Sequence, residues 1–399
     1  IRCPLMHSPL PGSPWPHRLT LLGVAMAVVV IGLGAFTRLV DAGLGCPDWP
    51  TCYGHVLWPE SDSEIAAANE RFAATPVESH KTWPEQVHRL FASSLGLVVL
   101  GIFYFALRER EPGQSRGPLL LVLGALVAGT IARMVIGSSM DVMLLVLVSV
   151  FLAVLLWQAQ VEGSGARPFK LPALLVGFVI LQGLFGMWTV TLNLWPQVVT
   201  AHLLGGFTTF ALLWLLSLRY NACRWHLTRM ELLRLQGIKG PALLSLIIVL
   251  VQITLGGWTT SNYAAVACPD FPVCQGAWWP ETDFGQGFNF LQHIGPNYLG
   301  GTMDNEARIA IHLSHRIGAI VTMLVVGLTG WRLLQIQSPT VRRYGVLLLS
   351  VLSVQILLGV SNIIFRFPLP VAVAHNLGGA LLLLVVVTLL YRLYTAKAA

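Results

Sequence analysis

Apolar stretches of about 20 residues recur along the chain, each long enough to cross a hydrocarbon core of roughly 30 Å. They begin near Leu19, His88, Pro118, Asp141, Leu171, Val198, Pro241, Ala307, Tyr344 and Pro370. The pattern predicts an all-α polytopic membrane protein with about ten transmembrane helices. Two long polar loops interrupt it, from about Val40 to Pro84 and from about Ser261 to Asn305. Residues 1–17 carry Pro4, Pro9, Pro11, Pro14 and Pro16 and read as a flexible tail, and no cleavable signal peptide is evident.

Composition agrees: 55% of the 399 residues are hydrophobic and 11% charged, far from a soluble domain. The net charge of +7 suggests nucleic-acid binding only until the basic residues are placed. With the first helix running inside to outside, Arg108, Arg110 and Arg116, then Arg167 and Lys170, Arg219 to Lys239, Arg332, Arg342 and Arg343, and Arg392 and Lys397 all fall inside. That is the positive-inside bias. No nucleic-acid partner is expected, and the lipid bilayer is the surroundings.

The halves of the chain repeat. Gly34-Ala35-Phe36-Thr37 through Cys46-Pro47-Asp48-Trp49-Pro50-Thr51-Cys52 matches Gly256-Gly257-Trp258-Thr259 through Cys268-Pro269-Asp270-Phe271-Pro272-Val273-Cys274, 222 positions on. Glu85-x-x-His88-Arg89 matches His312-x-x-His315-Arg316 at 227, and Ala201-His202 matches Ala374-His375 at 173. The offset drops by 54 residues between the last two motifs, the length of a helical hairpin inserted at about 112–165. Removing it leaves two four-helix-bundle halves, 18–220 and 241–399, joined by an inner linker, 221–240. Corresponding helices run the same way, so a pseudo-twofold axis along the membrane normal is expected.

His88, His202, His315 and His375 each open a helix running from outside to inside. Neutral imidazoles from facing helices of a bundle can clamp a haem iron, so four such histidines predict two haem sites towards the outer side. Gly205 and Gly206 follow His202, and Gly378 and Gly379 follow His375, three and four residues on; with Ala92 and Ala319 they leave room one turn deeper for a macrocycle. The plainer explanation is close packing of membrane helices. A transporter with parallel repeats is a rival, but it would break helices near the midplane. Arg89 and Arg316 could pair with haem propionates or snorkel to headgroups.

Glu85 stands where the second half has His312, one turn before the histidine in each case. A sheltered carboxylate beside a haem can exchange protons; the alternative is a first-turn carboxylate stabilised by the helix dipole. Cys46 and Cys52, and Cys268 and Cys274, lie six apart in the outer loops. Disulfides are the simpler reading; reversible thiol chemistry and a zinc site with His55 and His80 stay open. Cys3 and Cys223 are expected to be free thiols.

Together Gly43-Leu44-Gly45-Cys46-Pro47-Asp48-Trp49-Pro50 and its repeat, Glu85-x-x-His88-Arg89, Gly186-Met187-Trp188-Thr189-Val190 before His202, His312-x-x-His315-Arg316 and Ala374-His375-Asn376 resemble the haem A synthase family, from about Leu19 onward. The resemblance implies oxidation of the carbon-8 methyl group of haem O to a formyl group, for cytochrome oxidase biogenesis. It implies a substrate haem on His88 and His202, Glu85 as the catalytic carboxylate, and a haem b cofactor on His315 and His375, with Arg89, Arg316 and His312 nearby. It also implies a bacterial plasma membrane or mitochondrial inner membrane, with haem O synthase and oxidase assembly factors as partners and homo-oligomerisation left open. The inserted hairpin departs from the family, which usually has eight helices. The rivals are a di-haem electron carrier of the quinol-oxidising cytochrome b type and a haem carrier or exporter, neither of which changes its haem.

Overall fold

In the computed structural model, residues 14–109, 168–221 and 224–399 are described. Among them ten α-helices follow in order: α1 (Trp15–Leu39), α2 (Asp62–Arg71), α3 (Ser79–Arg108), α4 (Lys170–Thr191), α5 (Pro196–Tyr220), α6 (Arg229–Ser261), the single-turn α7 (Phe284–Gly287), α8 (Asn305–Leu334), α9 (Pro339–Ile364) and α10 (Leu369–Thr395). All but α2 and α7 are long and apolar enough to cross a membrane, which makes eight candidate spans. The two further spans expected near Pro118 and Asp141, and Cys3 and Cys223, lie outside the described residues.

The helices outrun the apolar stretches that announce them. An α-helix needs only its backbone hydrogen bonds and caps, so polar turns extend it past the hydrocarbon. α6 is the clearest case. Thr228 accepts from the Glu231 N–H while the Glu231 carboxylate accepts from the Thr228 N–H, and this capping box starts the helix at Arg229, inside the stretch that reads as a linker. Residues 226–227 pair in a short strand with 397–398, holding the end of the chain beside the start of α6.

The described residues fall into two compact units. Of the described residues, one takes in 14–27, 91–109, 168–186 and 208–221, where helices approach closely at small residues: Gly23 lies against Leu213 and Val98, Gly96 against Val179, and Gly101 against Leu19. The other takes in Val28–Leu90, Met187–Phe207 and Arg224–Ala399. Within it α6, α8, α9 and α10 form a ring of neighbours, α6 on α8, α8 on α9, α9 on α10 and α10 back on α6. α8 and α10 therefore stand diagonally across a four-helix bundle. Its inward side holds Leu348, Val326, Val386 and Leu389, all fully buried, while Leu324 and Leu357 are about two-thirds exposed, as side chains facing lipid would be.

Candidate functional site

All four histidines lie in the second unit, roughly two to three helical turns past the first residue of their helices rather than at the tips. His88 on α3 and His202 on α5 face one another, with ring centres 6.4 Å apart and planes perpendicular. Two metal–nitrogen bonds of about 2 Å plus about 1 Å from each nitrogen to its ring centre require about 6 Å. The pair is thus spaced for an iron between them. His88 Nδ1 is buried with no hydrogen-bond partner among the described residues. His315 and His375 stand on the diagonal helices α8 and α10.

Three of the histidines are seated on a glycine of the preceding membrane-spanning helix, α1, α6 or α9. A Cβ at Gly34 would come within 2.9 Å of His88 Cε1, at Gly256 within 3.1 Å of His315 Cε1, and at Gly359 within 3.0 Å of His375 Cε1. The imidazoles occupy the side-chain space that these residues give up. Gly34 and Gly256 belong to the repeated motif in the sequence, but their purpose becomes visible only with the partner helix in place. A second residue accompanies two of the seats. Gln252 donates from Nε2 to the His315 carbonyl at 3.0 Å and lies 3.1 Å from His315 Nδ1; Gln355 donates to the His375 carbonyl at 3.0 Å. Sequence reasoning missed both glutamines. The available signal was the spacing Gln-x-x-x-Gly, which ends on the seating glycine.

Glu85 is 4% exposed and is not left bare at a helix tip. Its Oε2 accepts the Cys46 N–H at 3.0 Å, and Oε1 accepts from Arg89 Nη2. Burial without such donors would neutralise a carboxylate. Here the loop and Arg89 together hold it one turn above His88. His312, at the matching place, is equally buried and faces the backbone of Ala264 and Ala265.

The arginines have a defined task in the folded chain. Arg89 donates to the carbonyls of Asp48 and Thr51 at 2.8 Å and of Cys46 at 3.4 Å. Arg316 donates to those of Asp270, Val273 and Cys268, each at 2.9 Å. The acceptors correspond one for one across the repeat. Both guanidinium groups hold the loop above the histidine.

Each loop is closed by a disulfide, Cys46–Cys52 and Cys268–Cys274, with Cα atoms 4.7 Å apart. The zinc alternative with His55 and His80 therefore has no thiolates to draw on. Inside each loop an aspartate gathers N–H groups: Asp48 accepts from Tyr53 and Gly54, Asp270 from Gln275 and Gly276. Donation chiefly from the Gly276 N–H holds the Asp270 carboxyl below its usual range. The tightness reaches the helix as well. A side chain on Gly45 would run into the Lys81 carbonyl of α3. Tyr53 donates to the carbonyls of Thr75 and Pro76, and burial with the charges of Glu78, Glu85 and Asp48 pushes its phenol up to about 12.

The chain matches the sequence pattern of a family described as "COX15-CtaA: Cytochrome oxidase assembly protein" over residues 17–146 and 131–387. It is 37% identical to "Heme A synthase" of Shewanella oneidensis, across 95% of this chain and 96% of that protein. It is 25% identical to "Heme A synthase" of Wolbachia pipientis subsp. Culex pipiens, across 88% and 89%, and 24% identical to that of Erythrobacter litoralis, across 90% and 91%.

Proposed function

The chain belongs to the COX15-CtaA family of cytochrome oxidase assembly proteins, and from that membership we propose that it is a haem A synthase that oxidises the carbon-8 methyl group of haem O to a formyl group. It is an oxidoreductase and a multi-pass membrane protein. The observation that carries the reading is the constellation of buried Glu85 with half-buried His88 and His202 beneath a disulfide-closed loop.

The substrate haem lies between His88 and His202, whose spacing suits one iron. A haem b cofactor lies between His315 and His375 on the diagonal helices of the second bundle, where it supplies electron transfer when bound. Nδ1 of His88 and of His375 is buried and lacks a hydrogen-bond partner among the described residues, which suits rings that have a ligand still to take up. Iron held through Nε2 would leave the ring proton on Nδ1.

Glu85 is the acid–base group of the substrate site. Conversion of a methyl to a formyl group by successive hydroxylation and loss of water moves protons, and a carboxylate tied to Arg89 and the Cys46 N–H is held in place to accept and return one. Arg89 and Arg316 serve their haems by fixing the loop above each site, and His312 takes the place of the carboxylate where no substrate is changed. The two halves relate by a pseudo-twofold axis along the membrane normal, with both sites on the outer side of a bacterial plasma or mitochondrial inner membrane. Haem O is received from its synthase.

Pigment extraction from histidine variants tests the assignment. His88→Ala and His202→Ala should remove haem O and haem A from the purified protein and spare haem b; His315→Ala and His375→Ala should do the reverse. The opposite split would exchange the two halves.

A further inference from the structure

Four helices precede the four histidine helices, and three of them carry the same pair of residues. Gln252 and Gln355 lie four residues before the seating glycines Gly256 and Gly359, and Gln182 lies four before Gly186. The amide oxygens of Gln252 and Gln355 rest where a side chain on Gly318 or Gly378 would stand, three residues beyond His315 and His375. A Cβ at either glycine would overlap that oxygen, so the glutamine and the glycine are required together. Gly205 completes the same pairing in sequence beyond His202, although Gln182 Nε2 donates to no group among the described residues, so the clamp itself forms on His315 and His375. The exception is His88. Its preceding helix has Val30 in place of the glutamine, and Phe91 stands in place of the glycine. Both members of the pair are missing at once.

The amide is a clamp on the ligand. Gln252 and Gln355 each donate to the backbone carbonyl of the histidine itself, fixing the turn from which the imidazole projects. In both, Oε1 is buried without a hydrogen-bond partner among the described residues. For Gln252 the amide also touches His315 Nδ1.

We propose that Gln252 and Gln355 are positioning residues that lock both ligands of the second haem, and that Val30 and Phe91 leave His88 unclamped so that the first haem can enter and leave. The proposal rests on the first half being the substrate site. A resident cofactor needs ligands of fixed geometry, whereas a site that takes in haem O and gives up haem A must let go of its iron once per turnover. One ligand free to swing away is enough for that.

The full-length protein, expressed with a haem O supply and purified, tests this in two ways. Gln252→Leu with Gln355→Leu should weaken haem b retention by about 10–100-fold and shift the reduction potential of whatever haem b remains, while haem O and haem A stay bound. Val30→Gln with Phe91→Gly should install the clamp and slow transfer of the first haem to added apomyoglobin by about 10-fold or more. Unchanged retention and potential in the glutamine variant, or unchanged transfer in the Val30 variant, would overturn the proposal. If the glutamine variant does not accumulate, the transfer rate decides alone. Loss of haem O and haem A in place of haem b would keep the clamp and reject the assignment of halves, so the two ideas fail separately.

Discussion

At the scale of the residue, the structure turns a spacing into a task. Glu85 reads from sequence as a carboxylate one turn from a histidine, with a dipole cap as its alternative and the contrast with His312 in the repeat favouring chemistry. The folded chain makes it a buried acceptor of one loop N–H and one guanidinium. Glu85→Gln keeps an oxygen for the Cys46 N–H but removes the exchangeable proton. Product formation should fall by about 100-fold or more, with both haems still bound in the optical spectrum; full activity would remove Glu85 from the chemistry. Gly34 makes a second prediction. Its Cβ would sit 2.9 Å from His88 Cε1, so Gly34→Ala must displace the imidazole or the helix. The first haem should be lost or change its spectrum while haem b is unaffected, and an unchanged spectrum at both sites would show that the seat does not fix the ligand. The glycine seats and glutamine clamps went unread in the sequence beyond the bare Gln-x-x-x-Gly spacing, because each acts on a histidine of another helix.

At the scale of the element, the unit that recurs is a loop pinned to a helix: a disulfide, an aspartate collecting N–H groups, and an arginine reaching up from the histidine helix. Cysteines six apart with prolines between them announced the loop. The arginine's acceptors are backbone carbonyls and so leave no mark in the sequence, and for that reason Arg89 and Arg316 read as headgroup or propionate contacts. Asp270 gives this element a pH dependence. Its folded pKa is depressed by donation from Gly276 and Gln275, so its contribution is present above the unfolded value of about 4 and is lost as pH falls through the lower folded value. Amide exchange at Gln275 and Gly276 should therefore gain protection from Asp270 at neutral pH and lose it as pH falls through the depressed folded value. In Asp270→Asn the acid-dependent loss should vanish; a loss that persists would mean another group holds the loop.

At the scale of the whole molecule, the hydrophobic pattern and charge bias marked all eight described spans, since a helix that must satisfy its own backbone in lipid writes itself into the sequence as a long apolar run. Helix ends were less legible. The capping box at Thr228 and Glu231 starts α6 well before its apolar run, and the stretch 221–240 that reads as a linker is mostly its first turns. The repeat was legible from three motifs, and it holds at the level of single hydrogen bonds, where Arg89 and Arg316 choose corresponding carbonyls. What the repeat could not convey is which histidines meet. His88 and His202 are 114 positions apart in sequence, and 6.4 Å apart as rings.

The central claim is that this chain changes one of the haems it binds. The direct measurement is chromatography of haems extracted from cells that lack their own haem A synthase, make haem O, and express this chain. Haem A, with or without a hydroxymethyl intermediate, should appear in the extract and be absent from the vector control; haem O alone, alongside a purified protein that carries haem, would contradict the claim and leave a di-haem carrier in its place.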